Sequence, residues 1–183
     1  VSPYAFASRR VAVSCVSLWV DSFPDKQGVE QVQWFYEDIA EHEPRVTGAY
    51  VVAEDELTAF ARKWDPLPIH TDRDAAKASL HGGLIAPAVY IVALANSAIG
   101  QLEPKIAAIG GADWKVKFTA PVRPGDCLVA TFECVHKRES RTKPDRGIAR
   151  FVCTVHNQKG QSVLVWESNV LVSKRNIVAA DGT

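Results

Sequence analysis

The sequence contains no methionine, no C-x-x-C pair and no apolar run long enough to cross a bilayer. Each absence closes a route. Structural zinc sites draw on closely spaced Cys and His, and Cys15, Cys127, Cys134 and Cys153 are not so arranged. No metal site is therefore expected. Three of the four cysteines fall in expected strands, where cysteine acts as a small buried hydrophobe. Free thiols follow, and with them a reducing, cytoplasmic compartment. A membrane-spanning helix needs about 20 apolar residues, and the run Val11 to Val20 behind Arg9-Arg10 is too short. That stretch imitates a signal peptide, but no small-x-small cleavage site follows and Asp21 and Pro24 intervene. Residues 1–33 are read as an extension of uncertain role, an added strand or an arm. The missing methionine leaves the true start open.

An excess of charge is lacking as well. Lys plus Arg number 21, as do Asp plus Glu, so no global field draws in nucleic acid or an anionic membrane. Neither is expected as a partner. A local basic set, Lys115, Lys117, Arg123, Lys137, Arg138, Arg141 and Lys143, is available for a phosphate-bearing ligand, although a solvated hairpin face would hold the same residues. Repeats and low-complexity tracts are absent too.

What is present is an ordinary globular composition, 47% hydrophobic and 23% charged over 183 residues, enough for one domain with a proper core. The pattern becomes regular from Trp34. A short strand is expected over 49–52. Glu54-Asp55-Glu56 then places three acids where a helix N-terminus favours them, and Leu57, Phe60, Ala61 and Trp64 recur at helical spacing. Ala53, just before, has no capping side chain, a loss of about 1 kcal/mol. Thr71-Asp72 begins a second, short helix with capping chemistry. From Leu84 to Leu102 the apolar residues cover every face, which predicts a helix wrapped on most sides and closed by Pro104.

The remainder reads as β. Trp114 to Phe118 alternates with period two, Pro121 to Asp126 is a turn, and strands are expected over 127–136, 148–156 and 162–172. Lys137 to Gly147 is read as a charged hairpin loop. One helix apolar all round, followed by an antiparallel meander, implies an α+β domain whose sheet curls about that helix. It would occupy residues 34–174, with 175–183 as a tail.

Chemistry concentrates between Trp64 and Ala88. Asp65 and His70 stand five apart on a segment that Pro66 and Pro68 are expected to keep from being helical. Gly82-Gly83 follows, and then the apolar helix. An acid, a base and a helix N-terminus are the parts that move a proton and hold a developing oxyanion. Turn chemistry alone can also produce an Asp near a His. His42, His136 and His156 lack comparable company, and Glu133 and Glu167 read as solvent-facing strand positions.

Asp65-x-x-Pro68-Ile69-His70, followed by Gly82-Gly83-Leu84-Ile85-Ala86 and the apolar helix, resembles the signature of the MaoC-like (R)-specific enoyl-CoA hydratases, which have the hot-dog fold. The resemblance implies a single hot-dog domain, an antiparallel sheet wrapped around a long central helix, in a homodimer. It implies that Asp65 and His70 hold the water that adds to an enoyl thioester. It also implies that a backbone N–H at the helix start, at Ala88 where the family has glycine, meets the enolate charge. Gly83, Asn96 and Leu67 are the further substrate-binding candidates, and Asn96 with Val89 and Val92 would border the acyl tunnel. No cofactor is implied beyond the coenzyme A carried by the substrate.

The sequence departs from the pattern at Leu67, where the hydratases have a polar residue, usually Asn, and at His81, where an aromatic is common. Two other readings stay open: an acyl-CoA thioesterase, and a non-catalytic acyl-CoA-binding subunit, which Leu67 would favour.

Overall fold

A computed structural model describes residues 33–175. The expectations for Cys15 and for most of the two terminal segments lie outside the described residues. The apolar alternation of the second half produces four long strands: β5 (Ala108–Phe118), β6 (Cys127–Glu139), β7 (Arg146–His156) and β8 (Ser162–Ser173). Four shorter ones precede them, β1 (Gln33–Trp34), β2 (Arg45–Val46), β3 (Tyr50–Val51) and β4 (Lys105–Ile106). β1 and β4 form a parallel pair, and the main sheet runs β2-β6-β7-β8-β5 with β3 also on β6. Every pairing within it is antiparallel.

The order differs from a simple meander, because β5 lies beside β8 rather than β6. The segment 119–126 therefore carries the chain from the β5 edge across to β6. The hairpin between β6 and β7 is tighter than expected. Both strands extend into the charged stretch, with Glu139 opposite Gly147, so cross-strand pairing accommodates charge on the solvent side without a long loop.

Among the described residues there are four α-helices, α1 (Glu54–Trp64), α2 (Pro68–Thr71), α3 (Arg73–Ala78) and α4 (Ala88–Gly100), and a 3-10 turn at Tyr36–Asp38. α1 forms where its periodicity places it and has no side-chain cap at Ala53. α3 begins where Asp72 accepts the Asp74 and Ala75 N–H groups, each at 2.9 Å. The expectation of a non-helical Pro loop is corrected: Pro68 opens the one-turn helix α2, and His70 sits on it. Proline has no N–H to waste at a first helical position and its φ already suits a helix, so it starts helices as readily as it stops them.

α4 begins at Ala88 rather than at Leu84. Pro87 precedes it with extended backbone, φ −56 and ψ 143, and the segment 84–87 is straight chain. α4 lies on the inner face of the curled sheet. Tyr90, Ile91 and Ala95 join Leu128, Phe132 and Phe151 in one core, each large side chain contributing about 1.5–3 kcal/mol on burial. This is the hot-dog arrangement. The helix is not wrapped all round within one chain, however: Ala88, Val89, Ala93, Asn96 and Gly100 remain exposed along one side. The inner face of β5 is bare as well. Trp114, Val116 and Phe118 share the face of Ser168, Trp166 and Leu164, their partners on β8, yet stay 53%, 36% and 44% exposed.

Candidate active site

α1 delivers Asp65. The Asp65 N–H closes the helix on the Ala61 carbonyl at 2.8 Å, and its carboxylate keeps 32% of its surface in solvent. The chain then turns through Pro66 and Leu67 into α2, which delivers His70. The five-residue spacing thus becomes a corner between two helices, and the His70 Nε2 comes to 3.7 Å from the Asp65 Oδ2. His70 itself is buried.

Its other ring nitrogen, Nδ1, lies 2.7 Å from the Ile85 carbonyl oxygen. A carbonyl only accepts, so Nδ1 carries the proton, and in the neutral ring Nε2 presents a lone pair toward Asp65. Two acceptors face each other across a gap too wide for a hydrogen bond. A water placed beside the pair, about 2.8 Å from each atom, can donate one hydrogen to each.

Leu67 supports this corner through its backbone. Its carbonyl accepts the His70 N–H at 2.9 Å and the Thr71 hydroxyl at 3.1 Å, while its side chain is half-exposed. The segment 84–87 lies against α2 by the Ile85 N–H on the Ile69 carbonyl, 3.2 Å, in addition to the His70 bond. That segment leads directly into α4. The Tyr90 and Ile91 N–H groups both reach back to the Pro87 carbonyl, which leaves those of Ala88 and Val89 outside the helical ladder. Unpaired donors and the positive end of the helix dipole coincide at the exposed Ala88.

The other candidates take different places. Gly83 has φ 156 and Gly82 φ 64, values that side-chain-bearing residues rarely adopt, so both are required by the loop's shape. Asn96 stands eight residues into α4, about 12 Å along its axis from Ala88. There it lines a cleft of about 370 Å³ with Arg45, Ile99, Trp166 and Ser168, and the lining includes neither Asp65 nor His70. His81 is exposed.

Among the basic residues considered for phosphate, Arg123 donates to the His81 carbonyl at 2.5 Å. Lys137 donates to the Tyr36 carbonyl at 3.0 Å and lies over its ring. Both are engaged within the fold, whereas Lys115 and Lys117 are exposed on β5. Glu167 is not solvent-facing as expected: its side chain is 13% exposed and pairs with Arg150. His42 and His136 are exposed and His156 is half-buried on β7.

Cys127, Cys134 and Cys153 are buried. Burial pushes the Cys153 thiol up to about 12, which makes it inert as a nucleophile. Among the described residues no three His, Cys, Asp or Glu side chains gather as a metal site would require, and no helix is long and apolar enough to cross a membrane.

The residues that sequence reasoning missed are Ile85, which acts through its carbonyl, and Pro87, which sets the first turn of α4. A backbone acceptor has no signature in a sequence. Pro87, just before the run of good helix formers, was a usable signal for the helix start.

Comparison with known proteins gives the family and the fold. A MaoC-like dehydratase from Rhodospirillum rubrum is 30% identical in sequence and superposes with a TM-score of 0.73, covering 79% of this chain and 99% of that one. An unliganded R-hydratase from Pseudomonas aeruginosa shares the fold, with 23% identity, a TM-score of 0.65, and coverage of 81% of this chain and 94% of that one. An uncharacterised UPF0336 protein of Streptomyces avermitilis is 35% identical over 92 residues, 46% of this chain; the chain spans 61% of that relative's length. The family description "MaoC like domain" matches residues 37–156, the stretch that holds the Asp65–His70 corner, α4 and most of the sheet. The chain belongs to the MaoC-like domain family.

Proposed function

We propose that the protein hydrates and dehydrates an acyl thioester, interconverting an enoyl-CoA and an (R)-3-hydroxyacyl-CoA, with Asp65 and His70 as the catalytic pair. The observation that carries this is the pair of facing acceptors 3.7 Å apart, with His70 held in one tautomer by Ile85. A water bridging them from the open side directs its oxygen lone pairs outward, at C3 of the substrate. As the oxygen adds there, the pair takes one water proton and returns a proton to C2 of the enolate. The Ala88 N–H meets the thioester oxygen as its negative charge grows. Coenzyme A enters as part of the substrate, and the steps described use no other cofactor.

A homodimer belongs to the same reading. β5 is a sheet edge with an apolar inner face, and α4 has an open side. A second copy related by a twofold axis would cover both, pairing β5 with its own symmetry mate. The Leu67 carbonyl holds α2, and any residue type supplies that carbonyl.

The test is turnover of crotonyl-CoA and of a longer enoyl-CoA, following enoyl absorbance, free thiol and product chirality together. Loss of the enoyl band without thiol, yielding the (R)-alcohol, is the expected result. Thiol release would assign hydrolysis instead. No reaction, with a ligand-dependent rise in melting temperature, would assign binding alone.

A further inference from the structure

Arg123 lies on the turn between β5 and β6, far in sequence from the site, and its guanidinium is spent on the loop that precedes α4. One terminal nitrogen, Nη2, donates to the His81 carbonyl at 2.5 Å. The other, Nη1, lies 3.5 Å from the Leu84 carbonyl, and a Cβ at Gly83 would come to 3.4 Å from it. The neighbouring Val122 is fully buried, and its carbonyl accepts the Ala86 N–H at 2.8 Å.

The turn itself is braced. The Asp126 carboxylate accepts the Arg123 N–H at 2.8 Å through one oxygen and the Gln158 amide at 3.0 Å through the other. The loop is thus gripped at residues 81, 84 and 86 by the turn, and at 85 by α2 on its other side. Both proposed catalytic elements hang from this segment. The Ile85 carbonyl sets the tautomer and tilt of His70, and Pro87 sets the position of the Ala88 N–H.

We propose that Arg123 is a positioning residue for the reaction, acting through the loop 81–87 on both the His70 ring and the Ala88 N–H. The inference rests on the hydratase reading and adds to it a residue outside the motif. It also withdraws Arg123 from the set free to bind substrate phosphate. A planar fork can span two carbonyls three residues apart; the single ammonium of lysine cannot do so in the same geometry. Keeping the charge is therefore not enough.

Arg123→Lys and Arg123→Gln separate the roles. Each is assayed with crotonyl-CoA and with the crotonyl thioester of N-acetylcysteamine, which has no phosphates. Amide hydrogen exchange of peptides spanning 81–88 is measured alongside, with melting temperature as the control for folding. The expected result is a kcat lower by on the order of 10- to 100-fold for both substrates and both variants, with KM nearly unchanged. Exchange over 81–88 rises while the sheet stays protected.

A raised KM confined to crotonyl-CoA, with normal kcat, would make Arg123 a phosphate contact and overturn the proposal. Unchanged exchange over 81–88 would overturn it as well. If the wild-type protein turns over neither thioester, the hydratase reading fails on its own. The exchange result then still decides whether Arg123 orders the loop.

Discussion

His70 is 5% exposed, and nothing about its ring is left to chance: one nitrogen is committed to a carbonyl and the other faces a carboxylate. The Ala88 N–H, the proposed donor to the thioester oxygen, can be removed cleanly. Ala88 is the first residue of α4 and follows a proline already in extended conformation, so Ala88→Pro keeps the helix while deleting the N–H. Loss of one such donor costs about 2.7–4 kcal/mol, or 10²- to 10³-fold in kcat. Steady-state hydration kinetics check this, with an unchanged melting temperature as the control.

A packing residue makes the opposite case. A Cβ at Gly147 would stand 2.1 Å from the buried Tyr36 ring, which itself carries Lys137 and Lys174 over its face. Gly147→Ala is expected to destabilise by at least about 1–3 kcal/mol through overpacking, read as a lower urea midpoint. At this scale the sequence was half legible. Asp65 and His70 could be found because the proposed chemistry resides in their side chains. Ile85 could not, because only its carbonyl acts, and Arg123 could not, because its targets lie some 40 residues earlier and only the folded turn brings them together.

Among the elements, legibility followed the strength of the periodic signal. α1 and the long strands appear where alternation or helical spacing placed them, and α3 begins at its capping Asp72. The two helix-boundary failures have one cause, proline read only as a breaker. Pro68 starts α2, and Pro87 delays α4 by four residues relative to its apolar run. That delay creates the straight segment 84–87, the part that docks on α2. The cap at Asp72 gives a measurable prediction. Asp72→Ala is expected to cost about 1 kcal/mol, seen in chemical denaturation, and to loosen the short helix that follows His70 while leaving the Asp65 and His70 side chains in place.

For the whole molecule, the sheet outruns the helix that should cover it. Sequence periodicity could show that α4 is apolar on all sides, but not that its last side and the inner face of β5 are left for something outside the chain. On the proposed dimer, sedimentation should give twice the chain mass. Val116→Lys, which puts a charge on that face, should raise the dimer dissociation constant by tenfold or more; a wild-type monomer at micromolar concentration would contradict the pairing.

Global stability should also respond to acid through His156. Burial holds its pKa below the ordinary 6.5, so folded and unfolded chains are both neutral there above that value. As pH falls through 6.5 the unfolded chain takes up the proton first and stability declines, until the folded histidine titrates as well. His156→Gln should therefore flatten the fall in urea midpoint between pH 7.5 and 5.5.

Hydration rests above all on what the Asp65–His70 pair does to water in the proposed reaction. The direct measurement is crotonyl-CoA hydration by the wild type, Asp65→Asn and His70→Ala, with each variant shown to be folded. A loss of at least about a hundredfold in each, the scale on which general acid–base groups act, is the predicted result. Hydration that persists within a few fold of wild type in either variant would contradict it.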